Sequence, residues 1–250
     1  MMRSRLVNWG KLALLWLRHG QFGAAAAAIQ DKLYGEQLFI GLRRDLTVPF
    51  EPPQAAVYSV GRRLVPVRPL REDDIATLFD MNAPGITAEG IRKRLTRWAI
   101  LRMDIPTCYV AVTPDDRPCY MQWLIPAQQN ARIRAFSDIV PPLAPDEALI
   151  EYAFTLEAYR GQGIMASAMA QIAQQAAHFG ARWVITFVPH DHMTSLKSCK
   201  RAGFEPYLMC RATWRLFRQR ATFTPLPAGS PYPFEGARQQ VRARTMGRGP

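Results

Sequence analysis

Two glycines set one residue apart carry the clearest chemical potential in this chain. They lie in Tyr159-Arg160-Gly161-Gln162-Gly163-Ile164-Met165-Ala166, between a strand-like apolar run and an alanine-rich helical run. A glycine turn that opens a helix exposes backbone N–H groups with no intrahelical partner. The helix dipole adds positive potential at the same place. Together they form a pyrophosphate site, and the absence of a Cβ lets phosphate approach the backbone closely. Arg160 adds a full charge. This is not a Walker loop, because no Gly-Lys-Ser/Thr follows. It is not a Rossmann fingerprint either: Ala166 stands where the third glycine belongs, and Ala181 to Val188 contains no acidic residue. An ordinary strand–helix turn is the alternative reading. His190 and His192 could exchange protons near neutral pH or could simply face solvent. With Asp191 they do not form a convincing metal site, since adjacent residues rarely converge on one ion.

These residues need elements to hold them. Ala148 to Leu156 reads as a strand, Gly161 to Phe179 as a helix closed by Gly180, and Trp183 to Val188 as a strand. Met193 to Ala202 reads as a short helix before Gly203, and Leu208 to Phe217 as a last strand. Upstream, Val65 to Leu70 is an edge-type strand, because proline is tolerated only where its missing N–H is not needed. The acidic start at Glu72 predicts a helix to about Met81. Thr87 caps a second helix through Trp98, with Arg92, Lys93, Arg94 and Arg97 on its solvent side. Thr107–Thr113 and Cys119–Ile125 form a hairpin, and the proline-bearing stretch 126–146 is expected to be a surface excursion.

The ends differ from this middle. Leu6, Trp9, Leu12, Ala13, Trp16 and Leu17 recur at helical spacing over residues 5–19, flanked by Arg5, Lys11 and Arg18. Such a stripe suits either docking on the domain or peripheral contact with a membrane surface. A helix over 21–34 ending near Gly35, a strand over 37–42 and a linker at Pro49, Pro52 and Pro53 follow. Residues 223–250 read as a mobile basic tail.

Composition sets the outer limits. The chain has 250 residues, 48% hydrophobic and 21% charged, enough to bury a core. Its 32 basic and 20 acidic residues leave a net charge of +12, spread along the chain with no run of five or more basic residues. That surface attracts anions without selecting among them, and nucleic acid is disfavoured for want of a reading element. The four cysteines show no Cys-x-x-Cys pairing, which predicts a reducing, cytoplasmic setting. No apolar run suggests a membrane span or a cleaved leader.

Three motifs in order carry a family resemblance. Arg160 through Gly163 fits Arg/Gln-x-x-Gly-x-Gly/Ala. His192-Met193-Thr194-Ser195 followed by Arg201-Ala202-Gly203-Phe204 is similar to Asn-x-x-Ala/Ser and Lys-x-Gly-Phe. Val67-Arg68-Pro69-Leu70-Arg71-Glu72-Asp73-Asp74 resembles the usual opening strand and helix. Residues 63–218 thus resemble the GNAT superfamily of acyl-coenzyme A N-acyltransferases. The departures are Met165 for Gly or Ala, His192 for Asn, and Cys199 for a Tyr.

The resemblance implies an α/β (α+β) fold: a mixed, mostly antiparallel sheet flanked by helices, with splayed central strands. Residues 1–60 would be an N-terminal helical extension outside that domain. It also implies acetyl-CoA or another acyl-CoA as co-substrate, without a metal. Phe154, Thr155, Leu156, Arg160, Gly161, Gln162, Gly163, Ile164, Met165, Ala166 and Ser195 would bind it. An amine acceptor, on a small molecule or a glycan precursor, would attack the thioester directly after losing a proton to a general base. Glu151 is the first candidate base, expected to share a strand face with Thr155, and Glu147 is the reserve. Glu151 pairing with an arginine is the alternative. Cys199 and His192 are the candidate acids, though a helical Cys is commonly a small core residue. An acidic acyl-carrier protein as donor and a degenerate, non-catalytic binding module are the competing readings.

Overall fold

The computed structural model describes residues 14–53, 55–56, 62–102, 105, 107–136 and 139–234. Most of the predicted helix over 5–19 and residues 235–250 of the predicted tail lie outside them. Residues 14–18 are helical. The next elements are α1 (Phe22–Leu33), β1 (Tyr34–Asp45), the short hairpin β2 (Ala55–Ala56) and β3 (Arg62–Arg63), β4 (Val67–Pro69), α2 (Glu72–Leu78) and α3 (Ala88–Leu101). After these come β5 (Cys108–Val112), β6 (Pro118–Pro126), α4 (Asn130–Phe136), β7 (Glu147–Thr155), α5 (Ile164–Gln175), β8 (Trp183–Pro189), α6 (Met193–Arg201), β9 (Glu205–Arg215) and β10 (Arg218–Pro225).

Eight strands form one sheet in the order β10-β9-β1-β8-β7-β6-β5-β4. All pairs are antiparallel except β7 and β8. The fold is the mixed, helix-flanked sheet that the family resemblance implies. Side chains alternate between two cores. Ile40, Leu42, Ile150, Val184 and Val188 face α5 and α6 on one side. Phe39, Val110, Trp123, Leu149 and Ile185 face Leu78 of α2, Ile100 of α3 and Ile133 of α4 on the other. The period-two alternation of strands produces both faces from the same residues.

Four expectations need correction. First, β1 is not part of an appendage. It lies between β8 and β9, with Ile40 opposite Val188 on one side and Met209 on the other, so a domain boundary at residue 60 would cut through the sheet. Long-range pairing leaves no local signature, and a short apolar strand reads alike inside or outside a domain. Second, residues 126–146 are no surface excursion: they hold α4, and Ile133, Val140 and Leu143 are buried. Third, the last strand continues into a hairpin, because β10 pairs with β9 from Arg218 to Pro225. Fourth, the start of the tail is packed. Tyr232 is buried, and its hydroxyl donates to the Phe204 carbonyl at 2.5 Å.

Local signals elsewhere translate directly. Thr87 Oγ1 accepts from the Gly90 N–H at 3.1 Å and starts α3. Asp74 closes the first turn of α2 by accepting from the Arg71 N–H at 2.7 Å. It also takes both terminal nitrogens of Arg68, at 2.6 and 2.8 Å, which ties that turn to β4.

Candidate active site

The parallel pair β7–β8 is held in register at only Glu147–Trp183, Ala148–Val184 and Leu149–Ile185. Beyond Leu149 the strands part. A cleft of ≈ 820 Å³ opens there, lined by the C-terminal half of β7, the glycine turn, the end of β8 and one face of α6. Parting exposes backbone groups that would otherwise be paired, so something must satisfy them. One group is satisfied by Glu151. Its Oε1 accepts from the Phe187 N–H at 2.8 Å and from Thr186 Oγ1 at 3.3 Å. A side chain thus replaces a ladder bond where the ladder fails. Burial pushes the Glu151 carboxyl up to about 7, against the opposing pull of those hydrogen bonds and of the Arg97 cation.

The expectation that Glu151 and Thr155 share a face is overturned by a β-bulge. Met121 pairs with Phe154 and Trp123 with Glu151, so Tyr152 and Ala153 together oppose Gln122. Tyr152 has φ of 61°. The extra residue shifts the alternation. Glu151 therefore lies on the side of its partner Trp123, and Thr155 on the side of its partner Tyr120, which belongs to the opposite core.

The bulge is also braced from α3. Arg97 Nε donates to the Tyr152 carbonyl at 3.1 Å, and one terminal nitrogen donates to the Ala153 carbonyl at 2.6 Å. Its guanidinium lies over the Phe154 ring at 5.1 Å, and burial lowers its pKa to about 10. Arg94, one turn earlier, is 2% exposed and grips Glu157 through two bonds of 3.1 and 2.6 Å. Gly90 permits that approach, since a Cβ there would stand 2.9 Å from Glu157 Oε1. The predicted solvent face of α3 is in part its inward face. Charged residues on a helix read as solvated, and only their partners, Glu157 and two carbonyls on distant elements, show otherwise.

The glycine turn has the expected shape. Gly161 and Gly163 have φ of 78° and 80°, and Gly163 is the residue before the first turn of α5. The first N–H groups of α5 have no intrahelical acceptor and open at the cleft, where Gly161, Gly163, Ile164 and Met165 form the wall. Arg160 is anchored by Glu157 Oε1 at 2.8 Å and the Thr155 carbonyl at 3.3 Å. Lys93, Arg97, Arg160, Lys197 and Arg201 all border the cleft. This donor set is basic and N–H-rich, and it fits a long polyanionic ligand such as coenzyme A.

Of the proposed cofactor residues, Phe154, Thr155 and Ser195 also line the cleft, whereas Leu156, Gln162 and Ala166 do not. The Leu156 N–H is spent on the Cys119 carbonyl at 3.0 Å. Ala166 is buried against the sheet. Gln162 donates to the Ala158 carbonyl. Among the proton-transfer candidates, Glu151, His192 and Cys199 all border the cleft. Glu147 lies at the far end of β7, accepting from the Ala144 N–H at 2.9 Å. His190 is exposed and outside the lining. Cys199 is fully buried, with its sulfur 3.8 Å from that of Met169. Burial raises its thiol pKa strongly, which makes it a poor acid. Cys199→Ala should leave turnover within about threefold of wild type, since it removes a small core side chain and no proton donor; steady-state assay of the purified variant checks this.

The chain matches the family model described as "Acetyltransferase (GNAT) domain" over residues 65–205. No curated protein matches the chain. Similar solved structures include a GNAT-family acetyltransferase from Colwellia psychrerythraea, at 10% identity and a TM-score of 0.43, with 81% of this chain and 61% of that one covered. A GNAT-family protein from Novosphingobium aromaticivorans shows 19% identity and a TM-score of 0.43, covering 71% and 63%. A GCN5-related N-acetyltransferase from Sphaerobacter thermophilus shows 16% and 0.43, covering 77% and 57%. This chain therefore spans about six tenths of the length of those structures. At these identities and scores they say nothing about substrate, and the assignment rests on the family model. That model takes in more than half of the 250 residues, including the parting strands, the glycine turn and the helix behind it: the chain belongs to the GNAT family of acetyltransferases.

Proposed function

We propose that this protein is an N-acyltransferase that moves an acetyl or other short acyl group from acyl-CoA to a primary amine by direct attack within a ternary complex. The observation that carries the proposal is Glu151: a carboxylate with a pKa near neutrality, held at the point where β7 and β8 part and opening on a basic cleft. Bound acyl-CoA would supply the activated acyl group as a thioester. The N–H groups at the start of α5, with Arg160, would hold its pyrophosphate. An amine arrives as an ammonium, which has no lone pair, so Glu151 accepts its proton before the new C–N bond forms and the C–S bond breaks. His192 lines the cleft with an exposed side chain and takes the proton-donor role in place of Cys199. The acceptor amine belongs to a small molecule or a glycan precursor.

The test of the donor site is calorimetry with acetyl-CoA on the wild type and on Gly163→Asp. The new carboxylate would project toward the anion site, from a residue whose φ of 80° already disfavours a side chain. Wild-type binding should be micromolar, and at least about tenfold weaker in the variant, an energy loss of about 1.4 kcal/mol or more. Arg160→Ala, which leaves the turn untouched, should weaken binding in the same direction. No binding by a folded wild-type protein would refute the coenzyme reading.

A further inference from the structure

The β9–β10 hairpin contains two features that cost stability and serve nothing in the cleft. The first is its turn. Leu216 and Phe217 are its two central residues, with φ of 48° and 63°. Consecutive left-handed residues make a type I′ turn, where Asn-Gly is favoured and bulky apolar side chains are strained. Both side chains face solvent, at 63% and 45% exposure. The second is charge. Arg215 stands directly across from Arg218, Thr213 from Arg220, and Arg211 from Thr222. Directly opposed residues share a face, so Arg211, Arg215, Arg218 and Arg220 crowd one surface, all exposed. Glu36 on neighbouring β1 belongs to the same face and pairs with Arg211 at 3.2 Å. Like charges across a strand pair repel.

Both costs fall on one end of the sheet. The Leu216 N–H donates to the Leu33 carbonyl at 2.9 Å, which fixes the turn beside the end of α1. There Tyr34 is 68% exposed, with Arg215 over its ring at 5.7 Å. An apolar tip ringed by arginines is the complement of a surface with anionic groups outside and hydrocarbon within.

We propose that this hairpin docks the protein on an anionic lipid bilayer. Leu216 and Phe217 enter the acyl boundary, and Arg215, Arg218 and Arg220 take lipid phosphates. The apolar tip argues against nucleic acid, which offers phosphate but no hydrocarbon layer. The arginine cluster argues against a second copy of the same face, which would oppose like charges. The proposal is independent of the catalytic reading.

The full chain should be sedimented with vesicles of phosphatidylcholine alone and of an equimolar mixture with phosphatidylglycerol. Binding is expected only to the mixture, and weaker as salt rises. The double variant Leu216→Asn with Phe217→Gly installs the preferred turn, so it folds. It should bind vesicles at least about tenfold more weakly, because the buried apolar tip is gone, while its melting temperature rises by about 2–4 °C. Arg218→Gln with Arg220→Gln should lose much of the salt dependence. Four results would overturn the proposal: no wild-type binding to either vesicle, undiminished binding by the Asn-Gly variant, tighter binding to single-stranded RNA than to vesicles, or a solution dimer that the Asn-Gly variant dissolves.

Discussion

Glu151→Gln should lower kcat/KM for acetyl transfer by about 10²–10⁴-fold, the range that a positioned general base supplies. The substitution is close to isosteric. A glutamine carbonyl can still accept from the Phe187 N–H, which Glu151 holds at 2.8 Å, so the parting of β7 and β8 keeps its tether. What disappears is the ability to take a proton. Glutamate is active as base only when ionised, so the wild-type rate should rise with pH through about 7 and level off above it. The variant should lose that limb and keep a low, flat rate. Full activity in Glu151→Gln would remove Glu151 from the chemistry and leave it a structural bridge between the strands.

The same carboxyl ties stability to pH in a direction opposite to that of most carboxylates. Its pKa is raised from 4.5 to about 7 in the folded protein, mainly by burial. Between those values the folded state holds a proton that the unfolded chain has released. Stability therefore falls as pH rises through the window from 4.5 to about 7. The rise to about 7 sets this contribution at about 3 kcal/mol. Glu151→Gln has no proton to lose. Thermal unfolding of the two proteins at pH 5 and pH 8 should show the variant gaining on wild type at the higher pH. An unchanged difference would mean that the carboxyl is ionised in both states.

Parts of this site were legible in the sequence because they are local. A glycine pair between an apolar run and an alanine-rich run specifies a left-handed turn feeding a helix, and Gly161 and Gly163 adopt it. The capping threonine and the hairpin of β5 and β6 are local in the same way. The features that shape the cleft are not. An aromatic in the left-handed region, Tyr152, carries no sequence signal, yet it turns Thr155 away from the face of Glu151. β1 enters the sheet through pairing with residues far along the chain. The β9–β10 turn lacks glycine, asparagine, aspartate and proline, so the sequence predicts a strand running through Phe217 with no turn there. Arg94 and Arg97 read as a solvated helix face, although the acceptors that bury them lie on β7 and the turn after it. Where a charged side chain meets a backbone acceptor on another element, residue type misleads and only geometry reveals the role.

Arg97 supplies the second large effect. Arg97→Met keeps most of the apolar stem but strips the donors from the Tyr152 and Ala153 carbonyls. Each buried carbonyl that loses such a donor costs about 1–3 kcal/mol. Water reaching the bulge through the cleft offsets part of that, so a stability loss of about 2–3 kcal/mol is expected in denaturant unfolding. The bulge sets where Glu151 stands relative to Phe154 and Thr155, and a small displacement of reacting groups costs on the order of 10²-fold in rate. Global destabilisation alone would reduce the active fraction and leave the pH profile in place. Loss of the Arg97 cation does more, because that charge favours ionised Glu151. In Arg97→Met the rising limb should therefore move above pH 7, and Arg97→Lys, which restores the charge without the forked donors, should return the limb while recovering only part of the rate. A variant with reduced stability and an unmoved limb would show that Arg97 braces the bulge without influencing the base.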